Sequence, residues 1–338
     1  MVITKTPFRM SFFGGGTDIP EFFRENGGSV LSTTFDKYCY VTVRHLPPFF
    51  DYKTHLTYSR MEYVDTWEEI QHPAIRSAME YLDMHNVRLT YESDLPAKSG
   101  LGTSSSFVVG MLSSFYALKG QYVDKKRLAD EAIYIEREMC GEAGGWQDQI
   151  AAAFGGLNRI DFRGNGYEVH PLIMSRQRKQ QLNDRLLMYF TGFTRFSAEI
   201  QKKNQTAARE NRSRLREMQA LVEEAEHILT DQSADLNGFG RLLNQTWKLK
   251  RGTGSQVSTQ AIDLLYQKGI EAGAVGGKLL GAGGGGFLLF YAEPDRAAAV
   301  KKAMKDLLYI PFRFEEGGSQ IIHYTAETPY PAVCDIKR

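Results

Sequence analysis

The hydrophobic and polar positions change their spacing along the first half of the chain, and each spacing predicts a different element. Residues 29–44 are rich in β-branched and aromatic side chains and predict two strands that turn at 35–37, while 87–92 alternates like one strand. Apolar residues recur at helical intervals over 107–118 and 125–139, which predicts two helices. Weaker strand or helix patterns occur at 2–4, 19–25, 54–59, 67–85, 146–154, 157–162 and 167–172.

The predicted elements follow a different order in the second half, and a polar, basic stretch at 175–184 separates the two halves. We therefore predict two domains, residues 1–180 and 181–338. The order of elements after the boundary is strand, helices, two strands, helix and strands, which predicts an α+β sandwich with helices on one face of an antiparallel sheet. These elements are expected at 185–191, 197–229, 236–249, 261–272, 274–280, 286–291, 295–308, 312–315 and 320–324.

Composition narrows the class of protein. The 338 residues are 42% hydrophobic and 24% charged with a net charge of +1, so nothing favours nucleic acid or a membrane surface as partner. No segment approaches the apolar length of a membrane span, and the N-terminus has no signal-peptide pattern. Cys39, Cys140 and Cys334 are scattered, which argues against a zinc site or a disulfide framework and fits a cytoplasmic protein. Because the net charge is only +1, an anionic ligand must be held by a local site.

One glycine-rich stretch, residues 94–107, is rich in hydroxyl groups and leads directly into the helix predicted at 107–118. Glycines before a helix let backbone N–H groups face a ligand, and the helix dipole adds positive potential there. Thr103, Ser104 and Ser105 could be helix caps, phosphate donors or metal ligands. On this stretch alone, an anion site and an ordinary capped helix are equally compatible with the sequence.

A second stretch, Gly14-Gly15-Gly16-Thr17-Asp18, leaves the backbone bare beside a carboxylate. Glycine allows a ligand to approach closely, and an aspartate can accept hydrogen bonds from two sugar hydroxyls. The plainer alternative is a turn in which Asp18 caps a helix at 19–25.

Two further acidic residues lie on predicted helices. Asp148 falls in the first turn of a helix of small residues that is opened by Gly144-Gly145, where capping is the plainer explanation. Glu136 lies near the end of the helix at 125–139, where an acid is unfavourable for the dipole, which weakly favours a specific use. A solvated charge is the commoner role for such a glutamate.

Three standard nucleotide motifs are absent. A P-loop would need Ser or Thr after its lysine, but the chain has Gly277-Lys278-Leu279, and Ala272 stands where the first glycine should be. Residues 281–286 fit G-x-G-x-x-G, but they precede a predicted strand where a dinucleotide-binding turn needs a helix. The HRD and DFG sequences of protein kinases do not occur.

Three glycine-rich stretches remain, at 7–18, 94–107 and 278–287, and together they resemble the motifs of the GHMP small-molecule kinases. Pro96 to Ser106 matches the second family motif, with Thr103 in place of the first serine, and 278–287 matches the third. The resemblance covers essentially the whole chain. It implies an N-terminal domain like the second domain of ribosomal protein S5, a ferredoxin-like C-terminal domain, and a cleft between them for ATP and the acceptor.

Within the family, the Gly14 to Asp18 stretch is similar to the sugar-kinase branch. Together with 6–9, 27–34 and 36–40, it most resembles the bacterial D-glycero-D-manno-heptose 7-phosphate kinases, which phosphorylate the anomeric hydroxyl for nucleotide-activated heptose and surface glycan synthesis. The expected partners are ATP and a small sugar phosphate, and a homodimer is one assembly that the sequence allows. A fucose or galactose kinase acting on a free sugar, and a non-catalytic sensor of sugar and ATP, stay open as alternatives.

The resemblance also implies roles for individual residues. Asp148 would accept the proton of the attacking hydroxyl, and Arg9 would stand beside it and the γ-phosphate, where a cation stabilises transferring charge. Mg²⁺ would be held by Ser104 and Glu136, whose oxygen atoms suit it. The residues expected to bind ATP are Pro96, Lys98, Ser99, Gly100, Leu101, Gly102, Thr103, Ser104 and Ser105. The residues expected to bind the sugar or its phosphate are Gly15, Gly16, Thr17, Asp18, Lys37, Arg195, Lys202, Gly283, Gly284 and Gly285.

Overall fold

The computed structural model describes residues 1–97, 99–192, 211–254 and 257–328, and these ranges contain helices and strands in both halves of the chain. The α-helices are α1 (Pro20–Asn26), α2 (Pro73–Tyr81), α3 (Thr103–Leu118), α4 (Lys125–Tyr134), α5 (Gln147–Phe154), α6 (Arg176–Asp184), α7 (Arg212–Thr230), α8 (Asn237–Arg251), α9 (Gln260–Glu271) and α10 (Pro294–Ala303). The strands are β1 (Val2–Phe13), β2 (Gly28–His45), β3 (Thr54–Thr57), β4 (Met61–Val64), β5 (Val87–Ser93), β6 (Leu157–Arg163), β7 (Gly166–Pro171), β8 (Leu186–Phe190), β9 (Ala274–Leu279), β10 (Phe287–Ala292), β11 (Leu308–Ile310), β12 (Phe314–Glu315) and β13 (Gln320–Tyr324).

The larger of the two sheets has nine strands and is built around β1 and β2. Its main order is β13-β1-β2-β5-β3-β4, with β6 and β12 also paired to β2, and β7 paired to β6. The two strands expected over 29–44 are one long strand, because the residues expected to turn form an irregularity within it: Pro7 pairs with Tyr38, and the next residue, Phe8, pairs with Phe35.

β1 is also longer than the strand expected at 2–4. It continues through Pro7 to Phe13, and Pro7 lies at the register shift, where a missing backbone N–H disturbs the ladder least. This extension matters for the site, because it carries Arg9 along the strand toward the glycine loop at 14–18.

Helix α3 packs under β1 and β2, and nearly all of its residues are buried. Gly110 permits the close approach, because a Cβ there would lie 2.7 Å from the Thr6 hydroxyl. The helix begins at Thr103, four residues before the apolar pattern, because the hydroxyl residues 103–106 already belong to its first turn. The helix expected over 125–139 also differs, since it ends at Tyr134 and continues as a π-helical turn at Ile135–Met139.

The smaller sheet is antiparallel, with the strand order β11-β8-β10-β9. Helix α8 packs directly on β9, where a Cβ on Gly276 would lie 1.9 Å from the carbonyl oxygen of Gly240. The predicted mixture of helices with an antiparallel sheet in this half is therefore confirmed. The stretch 175–184 is a helix, α6, where the sequence suggested only a polar connection.

Aromatic side chains join the two sheets. The ring of Phe239 on α8 lies 5.3 Å from the ring of Phe12 and 5.0 Å from that of Phe13, both at the end of β1. The chain also returns to the larger sheet at its end, because β12 pairs with β2 and β13 with β1. Residues 181–338, the predicted C-terminal domain, therefore contribute strands to both sheets.

Among the described helices, none combines the length and apolar character that a membrane crossing would need. The predicted helix at 197–229 falls partly outside the described residues, and its described part is α7.

Candidate active site

A pocket lies where the two sheets meet, and its walls come from several separate segments of the chain. The loop at 14–18, the start of α3, the start of α5 and the loop after β9 all contribute. The three glycine-rich stretches singled out in the sequence therefore converge on one cavity. Its positively charged lining residues are Arg9 from β1, Arg137, Lys250 from α8 and Lys278 from β9.

The stretch before α3 has the backbone that glycine makes accessible. Gly100 has a φ of 82° and Gly102 a φ of 71°, both in the left-handed region that other residues avoid. Gly102 is the N-cap of α3, and no side chain caps this helix start. The plainer explanation of an ordinary side-chain cap is therefore wrong, and the first N–H groups of the helix are left for a ligand.

Arg9 and Asp148 form a bidentate ion pair beside the start of α3. Arg9 Nε donates to Asp148 Oδ1 at 2.7 Å and Nη2 donates to Oδ2 at 2.8 Å, while Nη1 donates to the carbonyl of Gly100 at 2.7 Å. Asp148 does not cap α5, whose N-cap, Trp146, has no side-chain hydrogen bond. One arginine thus fixes both the carboxylate and the glycine loop.

Asp18 is buried and lines the same pocket. Its carboxylate accepts hydrogen bonds from the backbone N–H of Gly16 at 2.9 Å and of Gln147 at 3.3 Å. The capping of α1 by Asp18 is wrong, because the N-cap there is Ile19 and no side chain bonds it. Burial, reinforced by the charge of Asp148, raises the pKa of Asp18. Gly145 makes room for it, since a Cβ there would lie 1.9 Å from Asp18 Oδ2.

Glu136 is 1% exposed, so the solvated charge considered for it is excluded. Its Oε2 accepts hydrogen bonds from the Ser105 hydroxyl at 2.7 Å and from the Gln149 amide at 2.5 Å, while Oε1 is buried without a hydrogen-bond partner. Burial and the charge of Glu142 raise the pKa of Glu136 to about 8.

These oxygens fit a divalent cation. The unpartnered Oε1 of Glu136 borders the pocket together with the exposed Ser104, and the carboxylate of Glu142 adds negative charge nearby. A hard cation such as Mg²⁺ is held by such oxygen atoms and completes its shell with water and phosphate. Within the described part of the chain, no group of three or more His, Cys, Asp or Glu side chains forms a fuller metal site.

Two lysines in the pocket lining were not assigned individual roles by the sequence. Lys278 is 3% exposed, and its Nζ donates to the carbonyls of Ser11 at 2.9 Å and Phe12 at 2.7 Å. Lys250 Nζ donates to the carbonyls of Leu279, at 3.3 Å, and Gly281. A signal for Lys250 existed, because it lies one helical turn after buried Thr246 and Trp247 on the apolar face of α8.

The third glycine stretch packs on the second. A Cβ on Gly281 would lie 2.3 Å from Gly100 Cα, and one on Gly286 would lie 2.2 Å from the carbonyl oxygen of Ser99. Gly281 and Ala282 line the pocket. Gly284 N donates to the carbonyl of Val257 at 3.0 Å, so this part of the loop turns toward the segment before α9.

The structure brings most of the residues that the sequence singled out into this pocket. Those that line it are Arg9, Gly15, Gly16, Asp18, Gly100, Gly102, Thr103, Ser104, Ser105, Glu136 and Asp148.

Other singled-out residues do not line the pocket. Thr17 is buried and donates to the carbonyls of Gly14 and Ser29, and Lys37 Nζ bonds Asp36. Leu101 is a core residue. Pro96, Ser99, Gly283, Gly284 and Gly285 are likewise not part of the lining. The predictions for Lys98, Arg195 and Lys202 lie outside the described residues.

Comparison with known proteins agrees with this geometry. Residues 69–156 match the model of the GHMP kinases N terminal domain, and 215–310 match that of the GHMP kinases C terminal domain. The D-glycero-alpha-D-manno-heptose 7-phosphate kinase of Campylobacter jejuni is 30% identical over 96% of this chain and 96% of its own length. The L-fucokinase/L-fucose-1-P guanylyltransferase of Bacteroides fragilis is 26% identical over 89% of this chain but only 36% of its own length.

Solved structures show the same similarity. A D-glycero-D-manno-heptose 1-phosphate kinase from Bacteroides thetaiotaomicron has a TM-score of 0.79 and 26% identity, over 96% of this chain and 100% of its own. A mevalonate kinase with 17% identity and a TM-score of 0.71 shares the fold.

The chain therefore belongs to the GHMP kinase family, and it has the family's two-domain fold. It is an enzyme, an ATP-dependent phosphotransferase with an alcohol group as acceptor. Its relatives of matching length include heptose phosphate kinases, which confirms the resemblance to the sugar-kinase branch.

Proposed function

We propose that this kinase transfers the γ-phosphoryl group of ATP to the anomeric hydroxyl of D-glycero-D-manno-heptose 7-phosphate. The product would be the 1,7-bisphosphate, a precursor of nucleotide-activated heptose for surface glycans. The Arg9–Asp148 pair, which lies in one pocket with the Asp18 loop and the start of α3, is the observation that carries the proposal. The similarity to the Campylobacter enzyme over 96% of both chains supports the choice of sugar.

In this proposal, the sugar lies between Asp18 and Asp148. Asp18 accepts hydrogen bonds from sugar hydroxyls, and Asp148 orients the anomeric hydroxyl and accepts its proton. Arg9 keeps the carboxylate in position, and the backbone N–H groups at the start of α3 bind the phosphates of ATP. In-line positioning and neutralisation of phosphate charge do most of the work in such a transfer.

Mg²⁺ belongs to the proposal through the residues that fit it. Ser104 and Glu136 would hold the ion, and Ser105 and Gln149 would orient the Glu136 carboxylate by their hydrogen bonds to it. When bound, the ion supplies charge neutralisation to the phosphates. We place the reaction in the cytoplasm, where ATP is available.

The substrate is tested by a kinase assay that follows ADP formation with heptose 7-phosphate, free heptose, fucose, galactose and mannose. We expect the highest kcat/KM with heptose 7-phosphate. Faster turnover of a free sugar would replace our choice with the fucose-type alternative, which the fucokinase relative favours. No ADP formation with any sugar, in a protein that still binds ATP, would instead favour a sensor. Asp148→Asn provides the inactive reference.

A further inference from the structure

We infer that the ammonium group of Lys250 binds the terminal phosphate of ATP and stays on that phosphoryl group during its transfer. The residue lies near the end of α8 and reaches the pocket lining, where its Nζ donates to the carbonyls of Leu279 and Gly281. The inference rests on the kinase reaction of the proposed function and is independent of which sugar accepts the phosphoryl group.

The contacts of Lys250 place it close to the glycine stretch before α3 and to the Arg9–Asp148 pair. Gly281, whose carbonyl it binds, packs against Gly100, since a Cβ on Gly281 would lie 2.3 Å from Gly100 Cα. The carbonyl of Gly100 in turn accepts a hydrogen bond from Arg9 Nη1 at 2.7 Å. A phosphoryl group held at the start of α3 and aimed at the hydroxyl beside Asp148 would therefore lie in the same pocket as Lys250.

Lys250 also differs from the other cations in how its charge is compensated. Arg9 is engaged by Asp148 and Gly100, and Lys278 is buried against the carbonyls of β1. Lys250 has no ion pair with any residue that the structure describes, and its two acceptors are neutral carbonyls. An ammonium group has three donors, so one stays available for a ligand.

The neighbouring charges make an anionic ligand favourable. Burial and the positive charge of Arg9 lower the pKa of Lys250 to about 7. Burial and the charges of Lys250 and Arg9 also lower the pKa of Lys278, which lines the same pocket. A cation that lacks a counter-charge in a partly buried site raises the free energy of the empty enzyme. A terminal phosphate would supply the missing negative charge and restore the protonated form of Lys250.

The chemical step needs no proton from Lys250. The acceptor oxygen forms a bond to the γ-phosphorus while the bond from that phosphorus to the bridging oxygen breaks, and ADP leaves with the bonding electron pair. The hydroxyl proton passes to Asp148. Lys250 stays protonated and stabilises the charge on the phosphoryl oxygens throughout.

Nucleotide binding without sugar tests the inference. Calorimetry with ATP and with ADP, each with Mg²⁺, would compare the unmodified enzyme with Lys250→Met, Lys250→Arg and the matched control Lys248→Met, which removes an exposed lysine from the same helix. We expect Lys250→Met to weaken ATP binding about tenfold and to leave ADP binding within about twofold, a differential of the order of one charge-assisted contact. Lys250→Arg should keep part of the preference for ATP, and Lys248→Met all of it.

Turnover provides the second readout. We expect Lys250→Met to lower kcat by about 100-fold, comparable to the loss of one donor to a transition-state oxyanion. An equal loss of ATP and ADP binding would make Lys250 structural, and unchanged ATP binding with a raised KM for the sugar phosphate would assign it to the sugar. Either result overturns the inference, and Lys250→Gln replaces the methionine variant if that one does not fold. A substrate panel that favours another sugar would refute the heptose assignment and leave this test intact.

Discussion

At the level of single residues, Arg9 binds both the proposed proton acceptor, Asp148, and the backbone of the glycine stretch before α3. Arg9 is 5% exposed, and its guanidinium has no other carboxylate within ion-pair distance among the described residues. Removing the charge of Asp148 therefore leaves a buried cation without compensation. The Arg9–Asp148 pair holds the glycine loop through Gly100 and, in the proposed function, positions the proton acceptor.

Asp148→Asn should lower kcat by about 10²–10⁴-fold, because an amide cannot accept the hydroxyl proton. ATP binding should persist, since the start of α3 is unchanged. Steady-state kinetics and nucleotide titration check both. Asp161→Asn is the matched control, because Asp161 also pairs with an arginine, Arg159 at 2.9 Å, away from the pocket. Near-normal turnover of Asp148→Asn would remove the proton acceptor from the mechanism.

Gly145→Ala tests the role of Asp18. The added methyl group would lie 1.9 Å from Asp18 Oδ2 and must displace the carboxylate. We expect the KM for the sugar to rise by about tenfold or more, a loss of roughly 1.4 kcal/mol of binding, with ATP affinity unchanged. Gly166→Ala is the control for the added methyl group, because a Cβ at this hairpin position would lie 4.0 Å from the nearest atom, the carbonyl oxygen of Arg163. An unchanged KM for the sugar would exclude Asp18 from sugar binding.

The ammonium group of Lys250 should lower the free energy of unfolding of the enzyme that has no nucleotide bound. Its pKa is about 7 in the folded protein and near 10.5 when unfolded, so the unfolded chain binds more protons between these values and stability rises with pH there. Lys250→Met should therefore melt at a higher temperature than the unmodified enzyme at pH 7, and the difference should shrink as the pH approaches 10. Arg9 and Lys278 face the same region and are present in both proteins. Thermal melts of Lys248→Met provide the baseline.

At the level of elements, the sequence predicted those whose pattern is local. Helix α3 and strand β5 follow from apolar spacing, and β9 and β10 were predicted as a strand pair around the glycines at 281–286. β1 and β2 could not be delimited in the same way, because the irregularity opposite Pro7 depends on the partner strand. Lys250 was missed for a related reason, since a lysine on an apolar helix face indicates a buried cation only once the facing loop is known.

The contact between the second and third glycine stretches is an element-level feature that a single methyl group can test. Gly281→Ala would bring a Cβ to 2.3 Å from Gly100 Cα and push the glycine stretch before α3 away. ATP affinity should fall by about tenfold or more, which nucleotide titration would show. Gly120→Ala is the matched control, because Gly120 has a similar φ of 69° but nothing within 4 Å. Equal effects would indicate that backbone strain alone matters.

At the level of the whole molecule, the family resemblance predicted the two-domain fold, and the three glycine stretches meet as expected. The return of β12 and β13 to the larger sheet was not predictable from local pattern, because short strands carry little periodicity. Residues that would bind the 7-phosphate of the proposed substrate could not be found from the sequence: Lys37 bonds its neighbour Asp36, and the basic residues that line the pocket lie on distant segments.

A chain that ends after residue 313 lacks β12 and β13 and should be destabilised. β1 and β2 lose partners in the larger sheet, and we expect the melting temperature to fall by roughly 10 °C or more. A chain that ends after residue 328 keeps every described strand and is the control. Differential scanning calorimetry would detect the shift, and equal melting temperatures for both chains would show that the last strands contribute nothing.

The pairing of β1 with β13 also constrains how the protein is made. Val2 pairs with Tyr324, so β1 can complete this pairing only after a strand that is far away in sequence has been made. Contacts this distant in sequence form slowly, and an N-terminal half that emerges alone exposes an unpaired strand edge. The larger sheet is therefore completed only after β13 has been synthesised, and until then the edge of β1 can pair with other chains.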